Sequence, residues 1–262
     1  MNLDLTGRHA LVCGASQGIG RATAVELAQL GADVTVLARN EARLQDLVAA
    51  LPRRRDDQRH SYVAADMADG ARLRARIEAV ASAHPIQIVV NNTGGPPGGR
   101  ASDAAAGAFL EAFNQHLIAA QSVLQATLPG MQSAGYGRIV NVISTSVKEP
   151  IRNLGVSNTV RGAVASWAKT LAGELGGHGI TVNNVLPGYT RTGRLDQILA
   201  DRVRATGRDE HDIVQAMLAS VPAGRFAEPE EIAQVVAFLA SPAAGYVNGV
   251  NVPVDGGRTL SL

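Results

Sequence analysis

Residues 11–20, LVCGASQGIG, carry a short apolar run into a glycine-rich turn and then into a helix. His9, Ala10, Leu11 and Val12 read as a buried strand, and Gly14, Gly18 and Gly20 follow at G-x-x-x-G-x-G spacing. Ala22, Ala24, Val25, Leu27, Ala28 and Leu30 then recur with helical rather than alternating period. A strand that passes through glycine to a helix N-terminus leaves free backbone N–H groups pointing outward, and the helix dipole favours an anion there. Glycine also lets a pyrophosphate approach the main chain closely. A tight turn that binds nothing is the plainer alternative, but here both the strand and the helix are present. Gly14, Ser16, Gln17, Gly18, Ile19 and Gly20 are therefore expected to hold the phosphates of a dinucleotide.

The same alternation continues to the end of the chain. Strands are expected at 33–38, 61–65, 86–91, 137–144, 180–186 and 249–253, and helices at 41–51, 71–83, 104–131, 157–175 and 229–240. A polar helical insertion occupies 196–220. Such βαβα order implies a parallel sheet covered on both faces and joined by right-handed crossovers, with ligands beyond the carboxyl ends of the strands. No repeat, low-complexity stretch or linker interrupts 1–262, so one domain is expected.

Composition excludes several classes. A 262-residue chain that is 46% hydrophobic can bury a full core. A net charge of +1 gives no electrostatic reason to expect a nucleic-acid partner. The single cysteine, Cys13, cannot form an internal disulfide and suits a reducing compartment. The first ten residues lack the basic and apolar regions of a signal peptide, and no apolar stretch is long enough to span a membrane. A cytoplasmic protein is the default expectation.

Residues just past the strands refine the ligand. Arg39 and Asn40 follow the second strand, where an acid would bind the ribose 2′-hydroxyl of NAD and an arginine a 2′-phosphate, so NADP is expected over NAD. Asp66 and Met67 are suited to an adenine amino group and ring. Asn92 and Gly94 lie in a small-residue stretch that lets the cofactor pass, and Pro187, Gly188, Thr190 and Thr192 form a turn whose hydroxyls suit a carboxamide. Arg53–Arg55 with Asp56 and Asp57 read as a solvated loop, and Trp167 with Leu171 as core or subunit contact.

CGASQGIG, NNTGG, GRIVNVIS, GITVNNVLPG and the ending NGVNVPVDGG together resemble the short-chain dehydrogenase/reductase family, most nearly its β-ketoacyl-carrier-protein reductase-like members. The resemblance covers essentially the whole chain. It implies a doubly wound, Rossmann-type α/β/α sandwich on seven parallel strands, NAD(P) binding, a substrate lid at 193–220, and a homotetramer or homodimer. It also implies a small-molecule or acyl-thioester substrate. Cys13 stands where the family usually has Thr, and Gln17 where NADP users commonly carry Arg, which counts against NADP.

The family reduces carbonyls with an Asn, a Ser and a Tyr-x-x-x-Lys pair. By position the Ser is kept as Ser144, whereas Ser157 falls at the Tyr, Arg161 at the Lys and His116 at the Asn. Ser157 and Arg161 lie at i and i+4 and share one helix face. A serine hydroxyl is too short and too weakly acidic to replace a phenol. Arg161 keeps its proton, but it can bond ribose hydroxyls and supply fixed charge. His116, with an ordinary pKa near neutrality, is the first substitute donor to consider, Tyr189 the second, and Lys148 a substitute charge. Each also has a purely structural explanation. Two readings stay open: an NADP-dependent oxidoreductase with altered proton chemistry, and a nucleotide-binding pseudoenzyme with a regulatory or assembly role. Non-redox chemistry is disfavoured, because family members that take that route keep the Tyr and lose the glycine loop. No metal is expected.

Overall fold

A computed structural model describes residues 1–261. Its sheet is built from β1 (His9–Cys13), β2 (Asp33–Ala38), β3 (His60–Ala64), β4 (Ile88–Asn92), β5 (Gly137–Val142), β6 (Ile180–Pro187) and β7 (Asn251–Val254). All are parallel, in the order β3-β2-β1-β4-β5-β6-β7. The helices are α1 (Gly18–Gln29), α2 (Glu41–Ala50), α3 (Gly70–Ala83), α4 (Ala106–Phe113), α5 (Ala119–Ala134), α6 (Gly155–Leu175), α7 (Gly193–Thr206), α8 (Glu210–Leu218) and α9 (Pro229–Ala240). The strand alternation expected from sequence separates two cores. Ala10, Val12, Val34, Val36 and Val90 face α1, α2 and α9, while Leu11, Cys13, Leu37 and Val89 face α3, α5 and α6. Trp167 is half-buried and donates from Nε1 to Gln121 Oε1 at 2.9 Å, whereas Leu171 is core.

Chain order reverses between β1 and β4, so the crevice beyond their carboxyl ends is the place where a doubly wound sheet binds its ligand. Four asparagines hold the strands on the far side of that crevice in register. Asn91 Nδ2 donates to Asn141 Oδ1, Asn141 Nδ2 to Asn184 Oδ1, and Asn184 Nδ2 to Asn251 Oδ1, each at 2.8 Å. Buried amides need partners, and these three bonds form only when β4, β5, β6 and β7 pair at the observed offset.

Three elements differ from expectation. The long helix over 104–131 divides into α4 and α5 around a π turn at Asn114–Ile118, which carries His116. The strand expected to reach 144 ends at Val142, because Ser144 Oγ accepts from Ser146 N (3.1 Å) and turns the chain into the short helix Thr145–Val147. The insertion at 196–220 is two helices, parted where Gly207 takes a left-handed φ of 63°. Leu195, Leu199, Ile213 and Met217 bury one face of this pair against Phe226. No helix among the described residues is long and apolar enough to cross a membrane.

Candidate active site

The glycine turn opens the crevice. Gly14 has φ +60°, and a Cβ there would lie 2.4 Å from Asn92 O, so no larger residue fits without moving β4. A Cβ on Gly20 would lie 2.3 Å from Gly14 O. Asn92 ties the turn to β4 by donating from Nδ2 to Gly14 O (3.2 Å) and Cys13 O (3.4 Å). The N-cap of α1 is Gln17, which makes no side-chain cap bond, and the first turn of α1 holds no acid. Its leading N–H groups are thus left for an external anion. Cys13, fully buried beneath the turn, is inert because burial pushes its thiol up to about 12.

Arg39 is exposed beyond β2 and joins Asp66, Arg72 and Arg76 around a hollow beside β3. The side chain of Asn40 accepts from Arg43 N at 3.0 Å and caps α2. Gln17 Oε1 accepts from Arg43 Nη1 at 2.8 Å, which holds a second guanidinium beside the glycine turn. Sequence inspection passed over Arg43 because nothing local links residue 17 to residue 43. Met67 is a core side chain packed with Leu37 and Leu73, and Asp66 turns its carboxylate to Ala68 N (2.9 Å).

Along the cleft, Gly94, Ser144, Ser157, Arg161, Pro187, Gly188, Thr190 and Thr192 all line one continuous wall with the glycine turn. Thr190 and Thr192 hydroxyls donate to Gly188 O (3.2 Å) and Thr190 O (3.4 Å), which holds this turn against α7. Ile198 and Arg202 of α7 reach the same cleft, as does Tyr189, whose ring stands edge-on to Phe226 at 5.9 Å. Lys148 does not line it.

Arg161 is buried and has no carboxylate partner among the described residues. Its Nη1 donates to Val142 O (3.0 Å) and its Nη2 to Thr93 O (3.4 Å), so it clamps the ends of β5 and β4, while Nε has no partner. Burial and then the nearby Arg194 lower it to about 10, which still leaves it a cation at neutral pH.

His116 corrects the sequence-based expectation of a neutral-range acid. It is buried on the π turn, bonded through Nδ1 to Thr93 Oγ1, with Nε2 unpartnered. Burial first, and the Arg161 charge second, push it down to about 3. Near neutrality it holds no imidazolium proton to give. Because the native state keeps His116 below its unfolded value, the unfolded chain gains a proton as pH falls through 6.5 that the native state takes up only near 3. Stability is therefore lost with acid: between roughly pH 7.5 and 5.5 His116 should account for about 1 kcal/mol of the loss. Urea unfolding of His116→Asn is expected to show a correspondingly flatter pH dependence; an unchanged slope would contradict it.

Comparisons with known proteins agree with this architecture. The family model described as Enoyl-(Acyl carrier protein) reductase matches residues 14–259. The chain is 35% identical to the L-xylulose reductase of Mus musculus, over 98% of each protein. It is 33% identical to the 3-oxoacyl-(acyl-carrier-protein) reductase FabG of Pseudomonas aeruginosa, covering 99% of this chain and 100% of that one. The crystal structure of L-sorbose reductase from Gluconobacter frateurii, complexed with NADPH and L-sorbose, superposes with a TM-score of 0.91 at 30% identity over 100% of both chains. With its sheet order, glycine turn and full-length relatives in agreement, the chain belongs to the short-chain dehydrogenase/reductase family of oxidoreductases.

Proposed function

We propose that this chain is an NADP(H)-dependent oxidoreductase acting on a carbonyl or alcohol, similar to the 3-oxoacyl-carrier-protein reductases, in which Ser157 and Arg161 replace the usual Tyr and Lys. One observation carries the reading: the glycine turn, where a Cβ would strike Asn92 O or Gly14 O, leads into an uncapped, acid-free helix N-terminus. The residues fit a dinucleotide. Gly14, Ser16, Gly18, Ile19 and Gly20 would hold its diphosphate, Arg39 with the Gln17-held Arg43 a 2′-phosphate, Asp66 the adenine amino group, and Thr190 with Thr192 the carboxamide. When bound, such a cofactor supplies or accepts a hydride at the carbonyl carbon.

The chain's own residues do the rest. Ser144 donates its hydroxyl proton toward the carbonyl oxygen and orients it. Arg161 fixes a positive charge in a dry wall, where it favours the alkoxide. No phenol stands at position 157 to finish the proton transfer, and the neutral His116 does not replace it, so water or Tyr189 completes the step. General acid help is typically worth about 10²–10⁴-fold, whereas positioning contributes more, so turnover is slowed rather than forbidden.

NADP preference has its own check. Arg39→Asp is expected to weaken NADPH binding about 10–100-fold, the worth of a charge-assisted bond, while sparing NADH. Fluorescence titration with both nucleotides measures it, and equal losses for the two would contradict the assignment.

The altered tetrad favours a second reading, a nucleotide-binding pseudoenzyme with a regulatory or assembly role. NADPH oxidation measured across ketones, aldehydes and acyl thioesters separates them: binding without any turnover supports the pseudoenzyme. A homotetramer or homodimer is also proposed, supported by the exposed Leu110 and Ile118 beside α6, and a cytoplasmic location by the lone buried thiol.

A further inference from the structure

The cleft holds four guanidinium groups, on Arg161, Arg194, Arg202 and Arg258, and among the described residues no carboxylate lines it. None of the four forms an ion pair among the described residues. Arg161 is bonded to main-chain carbonyls, and Arg194 to Pro96 O (2.9 Å) and Gln197 Oε1 (3.2 Å). Arg258 differs from both in its contacts, which are side chains of the cleft wall. Its guanidinium stacks over the Tyr189 ring, 4.7 Å from the centroid, and reaches Thr145 Oγ1 at 3.4 Å. Its Nε is buried with no partner.

The turn that aims Arg258 is built. Gly256 and Gly257 take φ of 65° and 84°, conformations that side-chain-bearing residues resist. Asp255 accepts from Gly257 N (3.0 Å) and Thr259 N (2.8 Å), and Glu149 Oε1 accepts from Leu260 N and Ser261 N, each at 2.7 Å. The carboxylates of Asp255 and Glu149 are thus turned to the backbone amides of this turn. A guanidinium in a cleft whose described lining holds no acid, with a buried N–H left unpartnered, has the chemistry to receive an anion.

From this we infer that the substrate carries a carboxylate or phosphate group, and that Arg258, backed by Tyr189, is the residue that recognises it. Arg258 touches Thr145, the chain neighbour of Ser144. Because Ser144 and Arg258 line the same cleft, a substrate that spans the two, such as a short oxo acid or a short keto phosphate, suits it. The inference rests on the oxidoreductase reading for its chemistry, but Arg258 binds the anion whether or not hydride moves.

Calorimetric titration of the NADP-loaded protein with two matched pairs tests it: 4-oxopentanoate against its methyl ester, and dihydroxyacetone phosphate against dihydroxyacetone. At least one anion should bind tenfold or more tightly than its neutral partner, and the pair that shows the difference identifies the group. Arg258→Met should weaken the preferred anion at least tenfold, with the neutral partner and NADPH unchanged within about twofold. Arg258→Lys, which keeps the charge and loses the fork, should recover part of the loss. Equal binding of anion and neutral partner in both pairs, no binding of either anion, or anion binding indifferent to Arg258→Met would each overturn the inference. If NADPH itself does not bind, the oxidoreductase reading fails separately, and the same pairs titrated into the bare protein still decide the anion site.

Discussion

The double variant Ser157→Tyr, Arg161→Lys is expected to reduce a carbonyl substrate about 10²–10⁴-fold faster than the natural chain, the usual worth of a positioned general acid. Ser157 is buried on α6 and lines the cleft with Ser144, so a phenol at 157 extends into the space beside the retained hydroxyl. The second change matters because Arg161 clamps Val142 O and Thr93 O. A lysine releases that clamp and frees an ammonium to lower the tyrosine pKa. Ser157→Tyr alone should therefore gain less than the pair, and Arg161→Lys alone should lose. Initial rates of NADPH oxidation, read with the same substrate for all four proteins, check this order. A double variant no faster than the natural chain would mean that the proton route already runs elsewhere, with Tyr189 the phenol nearest at hand.

Gly14→Ala should have the other large effect. The added methyl would meet Asn92 O at 2.4 Å in a backbone conformation that only glycine adopts without strain. Either the turn or the end of β4 must shift, and both form the wall proposed to hold the diphosphate. NADPH affinity should fall by about 10²-fold or more, with a stability loss of about 2 kcal/mol from the strained backbone. Fluorescence titration and urea unfolding measure the two effects. Unaltered affinity in a folded variant would mean that the turn is not the diphosphate site.

The parts of this molecule that sequence made legible are those with local causes. Short apolar runs and helical period placed all seven strands and the covering helices, since burial on a sheet or a helix follows the neighbouring residues. The glycine turn was visible because positive φ at Gly14 and Gly18 leaves glycine in the sequence. Features set by distant chain stayed hidden. The asparagine ladder joins residues 91, 141, 184 and 251 through strand register, while each asparagine taken singly reads as a loop or site residue. The π turn at Asn114–Ile118 has the composition of ordinary helix, so the burial of His116 and the collapse of its basicity could not be anticipated. Arg43 and Arg258 escaped notice for the same reason. Gln17 recruits the first across 26 residues, and the second meets Thr145 across 113.

The proposed function rests on one arrangement: a glycine turn proposed to hold a diphosphate, in one cleft with Ser144 and with Ser157 in the place proposed for the phenol. The most direct test is titration of the natural protein with NADPH, followed by nicotinamide fluorescence. Saturable binding at one nucleotide per chain, tighter than for NADH, is the predicted result; a linear, unsaturable response at every concentration would contradict it.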